Sequence, residues 1–198
     1  MTVPTVVPVI LAAGESRRMG SPKPFLEAGG KTFLEHITAN LEAAGLPRPI
    51  VVGNPAHADL YTSSGWAGAA LVMNPHPENG MLSSLRLGLA RLPEEATHAL
   101  VCLVDMPFVS AATHAAVARL AEANPERIIV ARTNGTDGHP VAWPRGCVAE
   151  LNTWNGSDGA RGFLRANDAR VLRCDVEDPN VLVDFDTPEM LRRAGFVV

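Results

Sequence analysis

The sequence predicts a single three-layer α/β/α domain, a mostly parallel sheet with helices on both faces. Three observations carry that prediction. Short apolar runs of strand length alternate with stretches of helical periodicity along the whole chain. The first and longest of these runs are continuous rather than polar/apolar alternating, as strands buried on both faces require. The 198 residues, 46% hydrophobic and 19% charged, suffice for one sizeable core and show neither an internal repeat nor a linker. One domain spanning residues 1–198 is expected.

The elements follow in order. Val6–Leu11 has the length and β-branched content of a buried strand, then empties into Ala12, Ala13 and Gly14. Lys31–Ala44 places Phe33, Leu34, Ile37 and Leu41 at helical spacing, and Gly45 is a natural stop. Ile50–Val52 and Ala69–Met73 read as short strands, ending at Gly53–Asn54–Pro55 and Asn74–Pro75. Met81–Leu92 reads as a helix, His98–Val104 as a strand ending on Asp105, and Ala111–Ala123 as an alanine-rich helix. Arg127–Ala131 and Val141–Trp143 read as strands separated by a polar stretch, Arg132–Gly138. A helix over Arg161–Asn167, strands over Arg170–Cys174 and Val181–Phe185, and a helix over Pro188–Ala194 complete the chain.

Composition narrows the function. A formal net charge of −4 gives no global attraction for nucleic acid or an anionic membrane. Arg17, Arg18 and Lys23 are therefore a local basic site in an acidic protein, which favours a small anionic ligand over a polymer. Cys102, Cys147 and Cys174 are odd in number and form no C-x-x-C pair, so a reducing, cytoplasmic setting is expected rather than a disulfide framework or zinc site. No run is long enough to cross a membrane.

In parallel α/β sheets, ligands bind beyond the carboxyl ends of the strands. The chemically unusual residues sit there: Gly14 to Lys23, Gly53–Asn54, Asn74, Asp105 and Asp186. Small residues after the first strand let the backbone approach an anion, and the cations that follow supply charge and donors for phosphates. The alternative is an ordinary solvated basic turn. Neither the Walker glycine–lysine spacing nor the dinucleotide glycine spacing is present, which argues against a dehydrogenase.

Asp105, ending a strand and followed by Met106–Pro107, is either a hard-oxygen ligand for Mg²⁺ or a turn aspartate. Asp184 and Asp186 in VDFDTPE would share one face of a strand, with Thr187 and Pro188 opening a helix. Asn79–Ser84 precedes a helix, whose exposed N–H groups and serine hydroxyls suit a base or ribose or simply cap the helix.

Leu11-Ala12-Ala13-Gly14-Glu15-Ser16-Arg17-Arg18-Met19-Gly20, followed by Lys23, resembles the nucleotide-binding loop of the MobA-like nucleotidyltransferases of molybdenum-cofactor biosynthesis. The likeness runs on in order through GMLSS at Gly80, LVDMP at Asp105, GHP at His139, GSDGAR at Arg161 and the DTPE segment at Asp186. It implies a Rossmann-like fold of the nucleotide-diphospho-sugar transferase type. It implies Mg²⁺ on Asp105 and Asp186, and catalytic roles for Arg18, Lys23 and Asp105. Nucleotide contacts would come from Leu11, Ala12, Ala13, Gly14, Ser16, Arg17, Arg18, Lys23, Asn74, Gly80, Met81 and Ser84, and acceptor contacts from His139 and Arg161. Ser157 stands where relatives carry an aspartate, with the acid displaced to Asp158. LAAG in place of the LAGG of guanylyl-transferring relatives leans towards CTP as donor. The acceptor implied is molybdopterin, with a sugar phosphate, methylerythritol phosphate or GTP-using guanylyl transfer to molybdopterin as alternatives, and a molybdoenzyme or chaperone as partner. A reading of another class is a non-catalytic nucleotide-binding protein on the same fold.

Overall fold

The computed structural model describes residues 6–16 and 19–196; Arg17 and Arg18 lie outside them. In chain order the elements are β1 (Val6–Ala12), β2 (Glu27–Ala28), β3 (Lys31–Thr32), α1 (Phe33–Ala43), β4 (Ile50–Gly53), α2 (Ala58–Ser63) and β5 (Leu71–Met73). Then come α3 (Met81–Leu89), β6 (His98–Leu103), α4 (Ala111–Glu122), β7 (Ile128–Thr133) and β8 (Thr136–Pro144). The chain continues through α5 (Cys147–Thr153), α6 (Gly159–Ala166), β9 (Val171–Asp175) and α7 (Pro188–Arg193). Seven strands form one sheet in the order β5-β4-β1-β6-β8-β7-β9, parallel except for β8, which runs against both neighbours.

Alternation along the strands builds two cores. Val6 and Ile10 of β1 and Leu100 and Cys102 of β6 face one layer, with α1, α4, Tyr61 of α2 and Leu191 of α7. Val7, Val9 and Leu11 face the other, with Leu85 and Leu89 of α3, Cys147 and Leu151 of α5 and Phe163 of α6. Cys102 is a buried small hydrophobe, its thiol pushed up to about 12 by burial. The three cysteines are unpaired thiols, and among the described residues no helix is long and apolar enough to cross a membrane.

Three readings are corrected by the fold. The expected helix at Lys31 starts at Phe33, because Thr32 and Glu35 form a capping box: the Thr32 hydroxyl accepts from Glu35 N–H and the Glu35 carboxylate from Thr32 N–H. The polar stretch 132–138 is not a loop. Asn134 and Gly135 take φ values of 48° and 77°, the left-handed pair of a tight hairpin turn, so β7 and β8 run through it. Val181–Phe185 is not a strand. Asp178 caps a 3₁₀ turn over Pro179–Leu182 by accepting from Asn180 N–H, and the chain then runs extended to Asp186. Asp184 is accordingly exposed, and the shared strand face expected for it and Asp186 does not form. The short helix α5 went unread, since Cys147–Thr153 carries only two buried positions.

Three histidines are held neutral by burial. His114 Nδ1 donates to the Ser110 carbonyl at 2.9 Å, and burial pushes its pKa down to about 4 against the pull of that carbonyl and of Asp178. His139 is pushed down to about 4 and His98 is also lowered, again by burial first. The unfolded chain therefore binds protons that the native state refuses. Stability is flat above the unfolded value of 6.5 and falls as pH drops from there towards 4. The melting temperature is expected to fall by roughly 10 °C between pH 7 and pH 4.5. A His114→Gln variant should show a shallower slope in a calorimetric pH series; an unchanged slope would contradict this assignment.

Candidate active site

A cleft of about 430 Å³ opens at the carboxyl ends of β1 and β6. Leu11, Ala13, Gly14, Glu15 and Ser16 line one side, Gly80, Met81 and Ser84 another, and Lys23, Asp105 and Asp186 complete it. A Cβ at Gly14 would meet nothing within 4 Å, so the room beside it belongs to the cleft.

Lys23 is the centre. Its Nζ donates to Asp105 Oδ2 at 3.0 Å and to Asp186 Oδ1 at 2.5 Å, while its backbone N–H donates to Ser16 Oγ at 2.9 Å. Burial alone would lower its pKa, but the hydrogen bond to Asp186 and the field of Asp105 outweigh that, and the ammonium is retained. Each aspartate is delivered by a different element. Asp105 turns out of β6, and its carbonyl accepts Phe185 N–H at 2.8 Å, which fixes the next residue, Asp186. Phe185 is locked edge-on against Phe33 and Phe108, with centroids 6.2 Å and 5.1 Å away.

The segment leading to Asp186 is pinned upstream. The Asp178 carboxylate accepts from Ser110 N–H and Thr113 Oγ1–H, each at 2.8 Å, at the start of α4. The chain then crosses β8 so closely that a Cβ on Gly138 would stand 2.1 Å from the Val181 carbonyl oxygen. Only glycine allows that crossing.

Two carboxylates facing one cation-sized point are a hard-oxygen donor pair. That set fits Mg²⁺ or a similar ion, which takes one or two carboxylates and fills its remaining positions with phosphate and water oxygens. Among the described residues no group of three or more His, Cys, Asp or Glu gathers to form a site closed by protein alone. The wall opposite the loop is formed at the start of α3 by Gly80, Met81 and Ser84. Gly80, at φ 78° and ψ −176°, takes a backbone conformation nearly confined to glycine and opens α3, while Met81 stays 52% exposed as an apolar surface at the rim.

The structure thus gathers Leu11, Ala13, Gly14, Ser16, Lys23, Gly80, Met81, Ser84, Asp105 and Asp186. Ala12 and Asn74 lie behind the cleft. Asn74 Nδ2 donates to Ser83 Oγ and Ser84 Oγ at 2.8 and 2.9 Å and its Oδ1 accepts His76 N–H, so its amide braces the start of α3. His139 and Arg161 do not line the cleft either. The half-buried His139 ring feels Asp105 and Arg161, and its Nδ1 has no hydrogen-bond partner. Glu15, Pro77, Leu103 and Val104 also line the cleft and were not singled out from the sequence. Pro77 and Val104 carry no chemical signature that a sequence pattern would flag.

The cleft thus lies where open α/β sheets place their ligands, beyond the carboxyl ends of β1 and β6, with a lysine held between two carboxylates. The chain belongs to the MobA-like NTP transferase domain family, whose model matches residues 8–171, and it is a nucleotidyltransferase by that membership. It is 31% identical to the nicotine blue oxidoreductase of Paenarthrobacter nicotinovorans, over 96% of this chain and 97% of that one. It is also 31% identical to the molybdenum cofactor guanylyltransferase of Sinorhizobium fredii, covering 94% and 88% of the two chains. The crystal structure of Rv0371c from Mycobacterium tuberculosis superposes with a TM-score of 0.79 at 28% identity, over 97% and 98% of the chains. A manganese complex of that mycobacterial protein matches with a TM-score of 0.72 at 27% identity, over 97% and 98%.

Proposed function

We propose that this protein is a cytoplasmic, Mg²⁺-dependent nucleotidyltransferase that moves CMP from CTP onto a phosphorylated acceptor, molybdopterin or its molybdenum-loaded form, and releases pyrophosphate. The observation that carries this reading is Lys23 bridging Asp105 and Asp186 beside the small-residue loop. The manganese complex of the mycobacterial relative supports a divalent ion. The Sinorhizobium relative's name supports a molybdenum-cofactor acceptor, although that protein is named for guanylyl rather than cytidylyl transfer. Ala13 in LAAG is the residue that favours CTP here.

An oxygen of the acceptor phosphate attacks the α-phosphorus, a new P–O bond forms, and the bond to the β-phosphate oxygen breaks with pyrophosphate leaving. A phosphate monoester is already ionised near neutral pH, so the protein's work is positioning and charge neutralisation rather than proton abstraction. Lys23, with Arg17 and Arg18 of the same loop, holds the phosphates as charge builds on the leaving group. Gly80, Met81 and Ser84 hold base and ribose. His139 and Arg161, which lie outside the cleft, are assigned the acceptor phosphate by the motifs they belong to. Asp105 and Asp186 would hold a divalent ion, and the chemistry it would supply is neutralisation of phosphate charge.

Pyrophosphate release tests the reading, with CTP, GTP, ATP and UTP each offered against molybdopterin, sugar phosphates and methylerythritol phosphate in Mg²⁺. Release with CTP and molybdopterin alone is the expected result. Release only with GTP or another acceptor would overturn the substrate assignment, and silence across the panel would overturn the proposed reaction.

A further inference from the structure

Behind the loop that follows β1, two side chains hold its carbonyls away from the cleft. Tyr61 Oη donates to the Ala12 carbonyl at 3.1 Å, and Asn54 Nδ2 donates to the Ala13 carbonyl at 3.1 Å. Both donors are buried and neither lines the cleft. In a trans peptide the N–H of the next residue points opposite the carbonyl. Two successive carbonyls drawn to the Tyr61–Asn54 side therefore turn two successive N–H groups, of Ala13 and Gly14, to the other side. That side is the cleft both residues line. Consecutive N–H groups converging on one space form an anion nest.

The surroundings are built to keep Tyr61 there. Gly53, paired with Ala12 across the β1–β4 ladder, leaves room for its ring, since a Cβ would stand 2.7 Å from a ring carbon. Phe25, at the end of the 3₁₀ turn that begins at Lys23, packs edge-on against the same ring at 4.9 Å. The Asn54 backbone N–H donates to Tyr61 Oη, and burial holds the phenol protonated, so it remains a donor. The Asn54 side chain is oriented in turn, because its Oδ1 accepts Ala56 N–H at 3.0 Å.

We propose that Tyr61 and Asn54 are positioning residues for phosphate recognition: they set the peptide planes that aim the Ala13 and Gly14 N–H groups at a nucleotide's phosphates. This rests on the triphosphate-binding reading above and adds to it a pair of residues that touch no ligand. The inference is that they govern the affinity for the phosphate tail and leave the affinity for the nucleoside alone.

Calorimetric titration of wild type, Tyr61→Phe and Asn54→Asp with CTP, cytidine and inorganic tripolyphosphate tests it. Tyr61→Phe keeps the ring in its slot and removes one donor. Asn54→Asp keeps the acceptor for Ala56 N–H and sets a carboxylate oxygen against the Ala13 carbonyl. The expected losses for CTP and tripolyphosphate are about tenfold in Tyr61→Phe and larger in Asn54→Asp, with cytidine changed less than about twofold. In wild type, the Ala13 and Gly14 amide resonances should move on adding tripolyphosphate. An equal loss for cytidine, unchanged tripolyphosphate affinity in folded variants, or unmoved Ala13 and Gly14 amides would overturn the proposal. Selective loss of tripolyphosphate binding in a protein that never releases pyrophosphate would uphold the nest and overturn the transferase reaction instead.

Discussion

Asp105→Ala is expected to lower kcat for pyrophosphate release by at least about 10³-fold while leaving the fold in place. The carboxylate follows β6 and faces Lys23 Nζ at 3.0 Å, so its removal takes away one of two hard-oxygen donors and one of the two charges that hold the lysine. The structural loss is small by comparison. Lys23 keeps its 2.5 Å bond to Asp186, and Phe185 still donates to the Asp105 carbonyl, which a side-chain substitution does not touch. The removed group already keeps 27% of its side-chain surface in solvent, so no deep cavity follows. Far-ultraviolet circular dichroism and the melting temperature should stay near wild type while turnover disappears. Retained turnover in a folded Asp105→Ala protein would remove the metal-ligand role from this residue.

The sheet and the cleft were legible in the sequence to different depths. Continuous apolar runs ending at Leu11, Val52, Met73 and Val104 located the parallel strands that end at Ala12, Gly53, Met73 and Leu103, because a strand buried on both faces reads as an unbroken apolar run. The same logic put the site at those ends and found Lys23 and Asp105. The antiparallel strand β8 was underestimated, since Thr136–Gly138 is polar and lies where one face meets solvent. Asp186 was found through its motif, but its delivery was misread. A strand was expected where a Pro179-started turn and a glycine-permitted crossing over β8 do the positioning, and neither the Asp178 clamp nor the Val181–Gly138 contact has a local periodic signature. Asn74 illustrates the converse. Its place after a strand suggested ligand contact, yet its amide is spent on Ser83 and Ser84. A polar residue at a strand end can serve the ligand or the scaffold, and only the partners decide.

Lys23→Met should uncover a second consequence of the Asp105–Lys23–Asp186 arrangement, in stability rather than turnover. Without the ammonium, two carboxylates face each other across the point that Nζ held. Lys23 has a raised pKa, so in wild type its contribution is complete below the unfolded value near 10.5 and is lost only as pH climbs through the higher native value. At pH 7.5 the substitution therefore removes the whole of it. Breaking a fully buried ion pair costs about 3–5 kcal/mol, but the two aspartate side chains are 27% and 25% exposed, so about 2 kcal/mol, or roughly 5 °C in melting temperature, is the expected loss. A divalent cation can occupy the same point. Adding 10 mM Mg²⁺, about the concentration a weak carboxylate-pair site requires, should restore most of the lost melting temperature in Lys23→Met and shift wild type little, because in wild type the cation must displace the ammonium. Catalysis does not return with the metal, since the charge that meets the leaving phosphates is still missing, and kcat should stay down by about 10²-fold or more. Equal Mg²⁺ responses in the two proteins would mean that lysine and metal do not compete for the two carboxylates, and that the ammonium's place in the reaction cycle is elsewhere than between them.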